Sequence, residues 1–164
     1  MNEKKTSDPS ANDPHLPGVG RIAGIDFGTV RIGVSITDPN QILASPHDNY
    51  DRSSPAQDLV YFQNLASQES IVGWVVGLPI HTDGNESQKS GEAREFGRWL
   101  SGGTGLPVAF FDERYTSSFA NEILKSGNLS RKKKKKRLDM IASQIMLSAF
   151  LESSRNSSSH DLAD

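Results

Sequence analysis

Two short apolar segments, residues 21–26 and 31–37, are separated by only four residues, one of which is Gly28. Runs of this length rich in Ile and Val predict strands, here at about 20–27 and 31–37, and the short connection favours an antiparallel hairpin. The first strand ends on Asp26. Because a buried charge is costly unless it is paired or binds a metal, Asp26 is a candidate functional residue.

The rest of the chain alternates strands with helices. A short third strand is predicted at 41–45, and the later elements are helices starting at Pro55, near 87–101, around 119–124 and near 137–152, with strands at 71–77 and 107–111. The order β-β-β-α-β-α-β-α-α predicts an α/β fold, a mixed sheet flanked by helices, in one domain spanning 20–152. Polar sequence without periodicity predicts disordered tails at 1–19 and 153–164.

Composition narrows the functional classes. The 164 residues include no cysteine, which excludes disulfides and thiolate metal sites. No apolar run approaches the roughly 18 residues of a membrane span, and the N-terminal residues lack the apolar core of a secretory signal. We therefore expect a cytoplasmic protein without a membrane partner.

A basic run near the C-terminal end dominates the charge distribution. It supplies 7 of the 18 basic residues, which leaves 11 against 20 acidic residues in the rest of the chain. Such a run is either a solvated, mobile segment or a contact for a polyanion such as nucleic acid. Its members are Arg131, Lys132, Lys133, Lys134, Lys135, Lys136 and Arg137.

Carboxylates stand at the ends of three predicted elements. Asp26 ends the first strand, Asp112 and Glu113 follow the last strand, and Asp139 begins the final helix. Ligands collect at the carboxyl ends of parallel strands, so these acids would meet if the first and last strands were parallel neighbours. Three hard oxygen ligands suit Mg²⁺ or Mn²⁺, and metal ions of this kind support phosphodiester hydrolysis.

Each acid also has a structural interpretation. Asp26 could form an Asx turn before Gly28. Asp112 or Glu113 could pair with Arg114 at the surface. Asp139 could be stabilised by the dipole at the N-terminus of the helix, or it could neutralise the charge of the neighbouring lysines. Arg114 itself is a candidate phosphate contact. The alternative is that its guanidinium only pairs with Asp112 or Glu113.

Four motifs in order resemble the YqgF/RuvX family: GIDFGTVRIGVSITD, VVGLPIHTDGNES, PVAFFDERYTSSFA and RKKKKKRLDMIASQIMLSAFL. That family is similar to the RuvC-type Holliday-junction resolvases and shares their RNase H-like fold. The resemblance covers about residues 20–152. It implies a metal-dependent nuclease of pre-16S rRNA that acts in cytoplasmic ribosome maturation, with ribosomal precursor particles as partners.

The resemblance also implies positions for the acidic triad. The first acid falls on Asp26, the third on Asp139, and the second on Glu113, with Asp112 as the alternative. These residues would bind Mg²⁺ or Mn²⁺. The departures are mild: His81-Thr82 replaces a more usual Asn-Met in the loop after the fourth strand, and Tyr115 replaces a leucine.

Other functions remain open at this stage. The substrate could be a branched DNA junction rather than RNA, which would suit a homodimer, although a monomer is equally compatible with the sequence. GIDFGT also resembles the phosphate-binding loop of actin-like ATPases, although 164 residues supply only one of their two domains. A third alternative is an rRNA-binding assembly factor that does not cut.

Overall fold

A computed structural model of the chain describes residues 16–79, 87–115 and 131–161. For Tyr115, residues 131–136 and residues 156–161 it describes the backbone alone. The predicted helix around 119–124 and the loop that contains His81 lie outside the described residues.

Five strands form one mixed sheet in the order β3-β2-β1-β4-β5. The hairpin strands β1 and β2 are antiparallel, as are β2 and β3, whereas β4 runs parallel to both β1 and β5. The predicted mixed sheet is confirmed. The strands are β1 (Arg21–Asp26), β2 (Arg31–Thr37), β3 (Ala44–Asp51), β4 (Ile71–Leu78) and β5 (Val108–Asp112).

Three helices are described: α1 (Pro55–Gln68), α2 (Gln88–Thr104) and α3 (Arg131–Asp161). Pro55 occupies the first turn of α1, where its missing N–H costs nothing, and the Ser54 side chain accepts the N–H of Gln57. Helix α2 ends at Gly105, whose φ of 71° is accessible to glycine without strain.

The sheet is covered on both faces. Helices α1 and α2 pack on one face over a core centred on Phe62 and Trp74, which are fully buried. Helix α3 crosses the other face, where its Met146 and Leu147 pack with Val75 of β4. Because successive residues of a strand point to opposite faces, every second residue of β1, β2, β4 and β5 faces α3. Among the described helices, none has an apolar stretch long enough to cross a bilayer.

The third strand differs from its prediction at 41–45. The Asp38 carboxylate accepts the N–H groups of Asn40, Ile42 and Leu43, and Gln41 has a φ of 57°. This Asx-type turn extends the connection after β2, so β3 begins only at Ala44. The strand is a largely polar edge strand without the apolar alternation that marks a half-buried one.

Both ends of α3 and the N-terminal boundary also differ from the predictions. The helix begins at residue 131 rather than near 137, so the basic run forms its first two turns. The helix continues beyond 152 to Asp161, because adding residues to an established helix costs less than starting a new one. In this last part, Arg155 donates a hydrogen bond to the Ile42 carbonyl at 2.8 Å. The predicted tail at 1–19 is wrong for its last residues, since Leu16 packs against the α3-side core.

Candidate active site

The carboxylate of Asp26 lies between two glycines on the α3 face of the sheet. Asp26 pairs with Gly33 on β2, and the pairing of Ile25 with Val76 brings Gly77 of β4 to its other side. A Cβ on Gly33 would overlap the backbone carbonyl of Asp139, and a Cβ on Gly77 would overlap the Glu113 carboxylate. The two missing side chains thus create the space in which the other acids approach Asp26.

Glu113 reaches Asp26 across β4. Strands β1 and β5 are parallel, because both run parallel to β4. They are not the direct neighbours that the prediction from the sequence required, because β4 lies between them. Gly77 lets Glu113 lie over β4 and form a hydrogen bond with Asp26. Gly77 therefore lies within a strand and permits the close approach of the Glu113 side chain; it does not form a turn.

Helix α3 brings Asp139 to the same place. Its backbone sits against the Cα of Gly33, and about one turn further on Ser143 fixes the helix to the sheet. The Ser143 hydroxyl donates to the Gly24 carbonyl at 2.9 Å and lies 2.8 Å from the hydroxyl of Ser35. Asn49 of β3 donates from its amide to the Asp139 carboxylate at 3.4 Å.

Burial and the neighbouring acids raise the pKa of two of the three carboxyls. Desolvation raises the pKa of Asp26 to about 8, and the charge and hydrogen bond of Glu113 and then the charge of Asp139 add to the effect. The pKa of Glu113 is also raised, chiefly by desolvation, although its hydrogen bond with Asp26 opposes the rise. Both shifts have the direction expected of two buried carboxyls that share a hydrogen bond.

Asp112 is engaged elsewhere. Its carboxylate accepts the backbone N–H of Arg114 at 2.9 Å and lies 2.6 Å from a terminal guanidinium nitrogen of the same residue. Asp112 thus has the ion pair with Arg114 that was its alternative interpretation, and Glu113 is the acid that contacts Asp26.

The sequence profile of the family described as "RuvX: Holliday junction resolvase" matches residues 20–153. The chain belongs to the RuvX family. A relative named "Putative pre-16S rRNA nuclease" from Rhodopirellula baltica is 52% identical over 140 residues, which cover 85% of this chain and 81% of that protein. A relative of the same name from Koribacter versatilis is 39% identical over 81% of this chain and 87% of its own length.

A solved structure confirms the predicted fold. T. thermophilus RuvC in complex with a Holliday junction substrate superposes with a TM-score of 0.55 at 12% identity, and the match covers 82% of this chain and 96% of RuvC. The RuvX chain therefore has the RNase H-like fold.

The donor set of this RuvX site fits a hard divalent cation. Asp26, Glu113 and Asp139 offer carboxylate oxygens, which Mg²⁺ and Mn²⁺ prefer, and all three are half-buried and thus within reach of solvent. As the side chains stand, no group of three or more His, Cys, Asp or Glu residues in the described ranges is arranged around a single point for an ion. The direct contact is between Asp26 and Glu113, with Asp139 close enough for its charge to act on Asp26.

The basic run lies on the same helix as Asp139. Its backbone is helical from Arg131 onward and Arg137 is exposed, whereas the side chains of residues 131–136 lie outside the described part of the chain. With a rise of about 1.5 Å per residue, the run lies within roughly 12 Å of Asp139 along the helix.

Two polar residues beside the site were not found from the sequence. Arg52 donates to the Gly28 carbonyl at 3.5 Å and its backbone N–H bonds the Val30 carbonyl at 2.9 Å, which braces the turn after β1. Its guanidinium lies 5.2 Å from the centre of the Phe27 ring and pairs with the buried Asp58. The second residue is Asn49, which the misplaced third strand concealed.

Proposed function

We propose that this RuvX protein is a metal-dependent nuclease that hydrolyses phosphodiester bonds of pre-16S rRNA in 5′-end processing during ribosome biogenesis. The observation that carries the proposal is the meeting of Asp26 with Glu113, beside Asp139, at the carboxyl ends of β1 and β5. The names of the two relatives, which match most of this chain, support pre-16S rRNA as the substrate. Such a protein works in the cytoplasm on ribosomal precursor particles.

Asp26, Glu113 and Asp139 would hold Mg²⁺ or Mn²⁺. A bound ion of this type activates water and stabilises the leaving oxygen in phosphodiester hydrolysis. The chain contributes the fixed geometry: the glycines that flank Asp26 bring the carboxylates together, and desolvation makes their charge expensive until a cation compensates it.

The first two turns of α3 supply the substrate contact in this proposal. Seven consecutive basic residues give this end of the helix a strong positive potential, which attracts a phosphate backbone without reading its sequence. Since Asp139 follows the run directly, a strand bound there passes the carboxylates. Arg114 is a further candidate phosphate contact, although it would have to share its guanidinium with Asp112.

Cleavage of a four-way DNA junction is the second candidate. The description of the family favours it, and a junction resolvase would act as a homodimer whose two sites cut symmetrically. Family membership and the paired carboxylates together favour a nuclease over an ATP-binding or a purely RNA-binding protein.

The deciding experiment offers both substrates to the same protein. Precursor 16S rRNA with an extended 5′ end and a four-way DNA junction are incubated with Mn²⁺ or with EDTA, and the cut ends are mapped. We expect cleavage of the RNA at the mature 5′ end with Mn²⁺ and none in EDTA, with Asp26→Asn protein as the control for contaminating ribonuclease. Cutting of the junction alone would favour the second candidate, and intact RNA with wild-type protein and Mn²⁺ would contradict the proposal.

A further inference from the structure

One cross-strand row lies beneath the site: it contains Asp26, and Asp139 and Glu113 lie over two of its glycines. On the α3 face it runs from Asn49 on β3 through Gly33 on β2 and Asp26 on β1 to Gly77 on β4. Polar side chains and glycines alternate along it. Asn49 is thus the outermost member of the row that presents Asp26.

The position of Asn49 depends on a bulge in β3. Val34 pairs with Asp48 and Ser35 with Pro46, so His47 is an extra residue in the edge strand. A bulge of this kind changes the direction of the side chains beyond it. Here it sets Asn49 opposite Gly33, where the side chain is 7% exposed and faces α3.

The amide of Asn49 contacts the one acid that does not come from the sheet. Its Nδ2 donates to Oδ2 of Asp139 at 3.4 Å, from a residue ninety positions away in the sequence. An amide suits this place because it donates hydrogen bonds while adding no negative charge to a site that already holds three carboxylates.

We infer that Asn49 is a positioning residue that orients the Asp139 carboxylate for a divalent cation. The inference rests on the proposed metal site. Groups that hydrogen bond to metal-ligating side chains fix their orientation, and their removal commonly costs about 10–100-fold in metal affinity or activity.

The test compares two amides that both join β3 to α3. Asn49→Leu keeps the volume but removes the hydrogen bond to Asp139. Gln144→Met removes the other amide link, in which Nε2 donates to the Ala44 carbonyl at 3.1 Å, away from the carboxylates. Mn²⁺ binding is measured by titration calorimetry without any substrate, and unfolding midpoints are measured in EDTA.

We expect Asn49→Leu to raise the Mn²⁺ dissociation constant about tenfold, while Gln144→Met changes it by less than about twofold even where both lower the midpoint. An unchanged dissociation constant in Asn49→Leu would overturn the inference while leaving the nuclease proposal intact. If the wild-type protein binds no Mn²⁺, the proposed metal site does not exist and the inference about Asn49 fails with it. Asn49→Ala, which adds no bulk, is the second variant and is expected to give the same result if Asn49→Leu does not fold.

Discussion

Asp26→Asn is expected to lower the rate of pre-16S rRNA cleavage by about 1,000-fold, because it removes roughly 4 kcal/mol of transition-state stabilisation. The amide keeps the shape of the carboxylate but withdraws an anionic oxygen from the centre of the site. The measurement is single-turnover cleavage at saturating Mn²⁺.

A matched control is Asp51→Asn. Asp51 also ends a strand, but its side chain is 73% exposed and pairs with Arg31 at 3.4 Å, so the rate should stay within about twofold of wild type. Full activity in Asp26→Asn would contradict the assignment of Asp26.

The same variant should be more stable than wild type in EDTA. The folded-state pKa of Asp26, about 8, lies above the ordinary value of 3.8, so between these values the folded state binds more protons than the unfolded state. Wild-type stability therefore falls as the pH rises from 4 to 8, and Asp26→Asn escapes this loss.

At pH 8 we expect the variant to have the higher free energy of unfolding, and below pH 4 we expect the advantage to vanish. Urea unfolding at pH 4, 6 and 8 measures it. Added Mn²⁺ should stabilise wild type and not the variant, because a ligand stabilises only the state that binds it. A variant less stable than wild type at pH 8 in EDTA would show that Asp26 carries no desolvation penalty.

Gly33→Ala is expected to cost about 1–3 kcal/mol of stability and most of the cleavage activity. The new Cβ would overlap the backbone carbonyl of Asp139, and a backbone group cannot rotate away as the end of a side chain can. Helix α3 must therefore move off β2 and take Asp139 with it. Thermal unfolding and cleavage rates measure the two effects.

Gly91→Ala is the control for the glycine replacement. Gly91 lies in α2 with nothing near the position of an added Cβ, so alanine should stabilise the helix by about 0.5–1 kcal/mol and leave activity unchanged. Equal stability and activity in Gly33→Ala and wild type would show that the approach of α3 to β2 is looser than the structure indicates.

The hairpin and the order of strands and helices along the chain could be predicted from the sequence because they follow from local pattern, whereas the place of β4 between β1 and β5 could not. The apolar runs that flank Gly28 locate β1 and β2, and Asp26 falls at the strand end because the first run stops there. The packing of the site could not be predicted in this way. Whether Gly33 and Gly77 serve turns or close approaches depends on which distant groups fill their space, and only the fold decides that.

The choice between Asp112 and Glu113 shows a signal that the sequence contained. In β5, Ala109 and Phe111 belong to the core beneath α3, whereas Val108 belongs to the opposite core. The two-residue period therefore places Glu113 on the α3 side with Asp26, and Asp112 on the other. The family resemblance favoured Glu113, and the alternation of side chains along β5 gives the physical reason why Glu113 rather than Asp112 lies on the side of Asp26.

Asn49 and the start of α3 were missed for different reasons. The Asx turn at Asp38 moves β3 by several residues, and no apolar alternation marks a polar edge strand. The helix was expected to begin near 137 because its apolar spacing starts at Leu138, yet a long helix can extend through the basic run once its later turns are packed against the sheet.

The measurement that tests the site most directly is Mn²⁺ binding by two variants of adjacent acids. Glu113→Gln should weaken binding by about tenfold or more, because it removes a ligand that meets Asp26. Asp112→Asn should bind within about twofold of wild type, because Asp112 pairs with Arg114 instead. Calorimetry that finds normal binding in Glu113→Gln, or the loss in Asp112→Asn alone, would contradict the account.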